Sequence, residues 1–285
     1  MGNKINFKNF DEEFLKRKYE RTFDYKEETI LNAQEDGGEL YYLFKDAISW
    51  ITLKIVNGET YREELRDYFQ LAMQGIYGHL KLVDRKGEVV KLVIAGVEVE
   101  LENDESGYSD VFTLVEGFTY AVICRNKEVL DFIFSLKEES PLLGQGEHNY
   151  HPAYKHYYLF RHEENVTEGE IDAYIKAAES YYQKDASLKE FYRLINKPYQ
   201  QLMKEFFLGT SESFNQQLIE CLEKNKEYYD TTEDNRFREV EGWLPWSIIS
   251  IACLAYDKGW EITVENPRLP MYLVKGECSV ESLAP

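Results

Sequence analysis

The chain has 285 residues, enough for one large domain or two small ones. It is 44% hydrophobic, with 22 Tyr, 16 Phe and 4 Trp, a composition that excludes a disordered chain. The 52 acidic and 33 basic residues leave a net charge of −19, a field that repels nucleic acid and anionic membrane and attracts a basic partner. Solubility alone would also account for such a charge.

Helical period dominates the order of elements. Asp11 to Gln34 reads as a polar opening helix. Leu40, Phe44, Ile48, Ile51 and Ile55 recur at steps of three and four, and Asn57-Gly58 stops that helix. Thr60 and Glu63 form a capping-box pattern ahead of Leu65, Phe69, Ala72, Ile76 and Leu80. The period then becomes two. Val90, Leu92 and Ile94, a turn at Ala95-Gly96, and Val97, Val99 and Leu101 predict a β-hairpin over about residues 88–102. Lys91, Glu98, Glu100 and Glu102 mark its solvated face. Phe112, Val115, Phe118 and Val122 predict the next helical stripe, broken at Arg125-Asn126 before a short helix with Val129, Ile133 and Leu136. Residues 141–152 read as a long loop. Thr167 and Glu170 repeat the capping box before Ile171, Tyr174, Ala178 and Tyr181. Leu188 to Ile195 is helical until Lys197-Pro198 kinks or breaks it, and Leu202 to Phe207 resumes. Ser211 is placed to cap a helix bearing Phe214, Leu218, Cys221 and Leu222. The last helix starts at Pro245 and ends at Asp257-Lys258-Gly259, with Gly259 suited to a left-handed position. The expected fold is mostly α. It is an irregular antiparallel array of about nine or ten helices with one inserted hairpin, forming a single domain over 1–285.

The search for chemistry returns little. His148, His151, His156 and His162 stand near Glu163 and Glu164, which suggests a metal, but the spacing is no helical metal motif and the aromatic company favours a packed surface segment. There is no nucleophile elbow, no phosphate loop and no EF-hand spacing, so no catalytic residue, metal or cofactor is expected. Cys124, Cys221, Cys253 and Cys278 are far apart, and the first three sit in apolar, helix-like context. Met1 to Phe14 has no apolar leader core, and the longest apolar run, 246–256, is shorter than the roughly 20 residues of a membrane span. A cytoplasmic protein is expected. The aromatic residues permit two readings: core, or anchors of a protein-binding face rimmed by carboxylates.

Three stretches resemble the immunity protein 49 family of bacterial polymorphic-toxin systems. They are the hairpin from Gly87 to Leu101, the segment Phe112 to Asn126 with its Cys-Arg-Asn turn, and Leu254-Ala-Tyr-Asp-Lys-Gly259 with Leu269-Pro270. The resemblance spans most of residues 35–275. It implies a mostly helical cytoplasmic antitoxin that binds and neutralises a cognate toxin, with no catalysis. Joined to the acidic charge, it points to a basic toxin such as a nuclease, and to no contact with nucleic acid or membrane. A helical scaffold or regulator is the alternative. Two polar, loop-like groups are the expected toxin-binding residues: Glu102, Asp104 and Glu105 at the hairpin exit, and Tyr228, Tyr229, Asp230, Glu233 and Asp234 before the last helix.

Overall fold

The computed structural model describes residues 5, 12–102, 110–143 and 152–283. The chain is mostly α-helical with one inserted antiparallel hairpin, and it divides into two compact units. The described part of the first comprises residues 5, 12–102, 110–142 and 276–283. The second covers 143 and 152–275.

In the first unit the opening segment is two helices, α1 (Glu12–Phe23) and α2 (Lys26–Glu35). Helices α3 (Leu40–Val56) and α4 (Arg62–Asp84) form its centre, the latter burying Leu65, Phe69, Ala72, Ile76 and Leu80 as their spacing predicts. Burying such side chains contributes roughly 1.5–3 kcal/mol each. The two helices cross at Gly75, where a Cβ would stand 2.8 Å from the Leu40 carbonyl oxygen and 3.0 Å from the Phe44 nitrogen. Only a residue without a side chain permits that approach. Trp50 is fully buried beside Phe23 and donates its indole N–H to Thr22 O at 3.0 Å. The Thr60–Glu63 capping box does not form. Tyr61 holds the cap position of α4 without a side-chain bond, one residue later than the pattern requires.

The hairpin pairs β1 (Val89–Ile94) with β2 (Val97–Glu102), from Val89 opposite Glu102 to Ile94 opposite Val97. Ala95 and Gly96 both have positive φ, 52° and 81°, the two-residue turn that matches strand twist. Val90, Leu92, Ile94 and Leu101 are buried, while Lys91, Glu98, Glu100 and Glu102 are exposed. Gln34 and Gln74 pin the tip, donating to Ile94 O and accepting from Ala95 N, each at 2.9 Å. Helix α5 (Val111–Cys124) is capped by Asp110 and buried nearly all round. Its expected stripe is therefore shifted: Leu114, Phe118, Ala121 and Val122 are buried, but Phe112 is 44% exposed. Arg125 takes a left-handed conformation, and Asn126 caps α6 (Lys127–Ser135). The C-terminal stretch belongs to this unit. Val280 donates to Cys124 O at 2.8 Å and accepts from the Asn126 side chain at 2.7 Å, and Gln74 donates to Leu283 O at 2.8 Å.

The second unit opens with α7 (Pro152–Arg161), in a stretch where no helix is predicted. Pro152 is its first residue, where a missing N–H costs nothing. Helix α8 (Glu168–Tyr182) carries the expected Thr167–Glu170 capping box and buries Ile171, Tyr174 and Ala178. The single turn α9 (Lys189–Phe191) leads through a π-turn, Tyr192–Asn196, into α10 (Lys197–Leu208). Pro198 has no N–H for the Leu194 carbonyl and its ring crowds that oxygen, so the backbone widens instead of breaking. Helix α11 (Ser211–Tyr229) is capped by Thr210 with Ser213, so Ser211 is its first residue and not its cap. Short α12 (Val240–Trp243) precedes α13 (Trp246–Asp257), where Pro245 is the cap residue. Gly259 has φ of +90°, and two bonds, Gly259 N–H to Tyr256 O and Trp260 N–H to Ala255 O, close the helix. The extended segment that follows is stitched to α11 by Asn215, which donates to Glu261 O at 2.8 Å and accepts from Thr263 N at 2.9 Å. Leu269 is buried ahead of the single-turn α14 (Met271–Val274). Eleven helices reach nine residues or more among the described residues. The excess over nine or ten reflects α7 and the split opening helix, offset by the π-turn that joins two expected segments into one.

Candidate functional site

Of the hairpin-exit group, Glu102 is described: it ends β2 with its side chain exposed. Asp104 and Glu105 lie outside the described residues. On the same exposed face Glu100 pairs with Lys91 at 3.0 Å, and the Lys91 charge also acts on Glu98. Lys91 and Glu100 are both well solvated, so that pair is worth little.

The second group lies at the end of α11, where the structure gathers its members around two arginines that the sequence does not flag. Arg236 is buried. It contacts Glu190 at 2.8 Å and Asp234 at 3.4 Å, and its guanidinium lies 4.2 Å from the centre of the Tyr228 ring. Burial disfavours its charge, but the bond to Glu190 and the neighbouring Tyr228 and Asp234 outweigh that and raise its pKa. Burial, with Glu239 and Glu190 nearby, raises the pKa of Tyr228. The Tyr228 ring also meets Phe191 edge-on at 5.5 Å and Tyr229 at 4.9 Å. Asp234 and Asn235 have φ of 52° and 59°, a left-handed pair that short polar side chains tolerate best. The Asp234 side chain is 77% exposed despite its contact with Arg236. Of Glu233 only the backbone is described.

The second arginine is Arg268, 5% exposed. It donates to Asn225 Oδ1 at 2.6 Å, to Gly242 O, and to Trp243 O at 3.3 Å. Burial lowers its pKa to about 10, against the opposing influence of Asp230. Asp230 and Tyr229 are half-buried. Tyr228 and Asp234 thus hold the local fold together while presenting edges to solvent. An arginine two residues beyond an acid-aromatic cluster was the available sequence signal for Arg236. Arg268 is distant in sequence and left none.

Of the four clustered histidines, His156 and His162 are described and make separate contacts. His148 and His151 lie outside the described residues. His156 is buried, with Nε2 2.9 Å from the Tyr199 hydroxyl, and burial pushes its pKa down to about 3. His162 lies 4.4 Å from the Tyr158 ring. Among the described residues no group of three His, Cys, Asp or Glu side chains is placed to hold a metal, and the four cysteines are buried thiols outside any disulfide. No described helix is long and apolar enough to cross a membrane. In the first unit a groove of about 480 Å³ is lined by Tyr77 and Lys81 of α4, Lys91 and Val93 of β1, and Glu128 of α6, among others. The Lys81 ammonium sits 4.6 Å over the Tyr77 ring, and burial with the Arg85 charge lowers its pKa. The groove's charges are mixed, with Lys81 and Lys91 beside Glu98, Glu100 and Glu128.

The described residues thus make up mostly helical units with one hairpin and an acid–aromatic cluster at the end of α11. The model of a family described as Immunity protein 49 matches residues 60–273, and the chain belongs to that family. The family is one of immunity proteins, so a toxin is the general kind of partner. No curated protein and no solved structure matches the chain.

Proposed function

We propose that the chain is an antitoxin that binds a cognate polymorphic toxin and neutralises it by stoichiometric occlusion, protecting the producing cell from within the cytoplasm. The family match over residues 60–273 carries this reading. No catalysis, metal or cofactor takes part, and neither nucleic acid nor membrane is a partner. The charge of −19 supports a basic toxin, with a nuclease as the example whose cationic active site carboxylates would fit. The proposed contact residues are Glu102, Asp104 and Glu105, with Tyr228, Tyr229, Asp230, Glu233 and Asp234. Tyr228 and Asp234 also support Arg236, so changes there report on folding as well, and Glu102 is the cleaner probe.

The test is co-expression with the active toxin encoded beside this chain, together with titration of the purified pair. The expected outcome is restored growth and inhibition complete at one equivalent. Protection without a complex, or protection at far below one equivalent, would overturn occlusion in favour of a catalytic or regulatory role.

A further inference from the structure

A two-stranded sheet has two free edges, and the register of this one identifies which backbone groups they offer. Ile94 and Val97 close a two-residue turn, so they form a hydrogen-bonded pair, and the pattern alternates from there. On β2 the N–H and C=O groups of Glu98, Glu100 and Glu102 therefore point away from β1. Among the described residues none of these groups has a hydrogen-bond partner. At one end of the edge Gly37 abuts the Glu102 carbonyl: a Cβ on Gly37 would stand 3.0 Å from that oxygen. Val97, Glu98 and Glu100 are exposed.

The side chains beside this edge select its occupant. Glu98, Glu100 and Glu102 share one face of β2, spaced two residues apart. Lys91 pairs with Glu100 and its charge also acts on Glu98, so one lysine of the hairpin stands against three glutamates. A second copy of this chain pairing here would set glutamates against glutamates, which cross-strand geometry penalises. An extended segment with Lys or Arg at every second position would meet opposite charges instead. We propose that the β2 edge takes a basic strand of the toxin as a third strand of the hairpin, with backbone bonds at Glu98 and Glu100 and cationic side chains beside the three glutamates. This rests on the antitoxin reading and gives its docking mode, and Glu102 is common to the edge and to the proposed contacts.

Hydrogen exchange on the complex with catalytically inactivated toxin is the direct test. The Glu98 and Glu100 amides should exchange about tenfold more slowly, or better, on binding, while the buried ladder amides change little. The Glu100→Pro variant removes an N–H that the hairpin itself does not use, and edge positions tolerate proline. It should keep the wild-type unfolding midpoint and weaken binding about tenfold or more. If that variant unfolds more readily, Glu98→Lys with Glu102→Lys should weaken binding while the midpoint is unchanged. A complex that forms with the Glu98 and Glu100 amides unprotected overturns the edge proposal and leaves the antitoxin reading standing. So does undiminished binding by Glu100→Pro. Protection of the same amides without toxin, with a doubled mass in solution, would make the edge a self-interface instead. Failure of the wild-type chain to bind the toxin at all overturns the antitoxin reading, and the edge proposal with it.

Discussion

Gly259 follows α13 with φ of +90°, and a Cβ there would meet nothing within 4 Å. Any penalty for a side chain is therefore conformational and not steric crowding. Gly259→Val should destabilise the protein by roughly 1–2 kcal/mol, read as a lower urea midpoint at unchanged slope. An unchanged midpoint would show that the two closing bonds do not depend on the left-handed residue. His156 and His79 offer a second measurement. Burial pushes their pKa values down to about 3 and about 4, from an ordinary value near 6.5. The unfolded chain then binds protons that the folded chain refuses. The stability these groups contribute is fully present above pH 6.5 and is lost as pH falls toward the folded values. Between pH 6.5 and 5 each should contribute a slope approaching about 1.4 kcal/mol per pH unit, before carboxylates enter the titration. His156→Gln should flatten the pH dependence of the urea midpoint for the transition of the second unit, which holds it. An unaltered slope would mean that His156 is accessible to protons in the folded state.

At the scale of elements, two identical sequence signals have different outcomes. Thr167 and Glu170 exchange both bonds of a capping box, with Thr167 N–H to Glu170 Oε2 at 2.7 Å. Thr60 and Glu63 make neither, because α4 begins a residue too late. Thr167→Ala should therefore cost about 1 kcal/mol, and Thr60→Ala close to none, in the same denaturation assay. Equal losses would show that the N-terminus of α4 is not as described. Where an apolar stripe repeats over several turns, as in α3, α4, α11 and α13, spacing alone marks the helix and its buried face. The hairpin was equally legible, since alternation and an Ala-Gly turn agree. What escaped lacks such agreement. Helix α7 has a histidine and three tyrosines where a stripe would be aliphatic, and Pro152 reads as a breaker although it can start a helix. Phe112 follows a correct period on a helix whose other sides are also buried, so its face was misassigned. The π-turn answers a local conflict at Pro198 that no pattern encodes. Arg236 and Arg268 depend on partners brought together by folding: Glu190 is 46 residues from Arg236, and Asn225 is 43 from Arg268.

For the whole molecule, connectivity and charge lead to separate expectations. The chain leaves the first unit after Leu142 and returns to it at Gly276, so that unit is completed only by its last residues. Asn126 is fully buried and Gln74 nearly so, and both donate to carbonyls of the returning stretch. Ending the chain at Gly276 would orphan both groups, at about 1–3 kcal/mol each, and expose the apolar surface under Val280 and Leu283. The urea midpoint of the first unit's transition should fall sharply. If it does not, the stretch contributes less than its bonds imply. Charge acts before any contact forms. On the proposed reading, a net −19 would attract a basic toxin over distances that salt shortens, from about 10 Å at 0.1 M to about 3 Å at 1 M. Such steering raises association rates by roughly 10- to 1,000-fold, which matters to an antitoxin that must capture its target before damage occurs. Exposed carboxylates such as Glu98 and Glu102 should chiefly set the on-rate, and buried aromatic anchors the off-rate. Stopped-flow association with the inactivated toxin, across a salt series, should therefore show an on-rate that falls steeply with salt and an off-rate that moves little. An on-rate insensitive to salt, or a toxin that is itself strongly acidic, would refute electrostatic capture while leaving stoichiometric neutralisation intact.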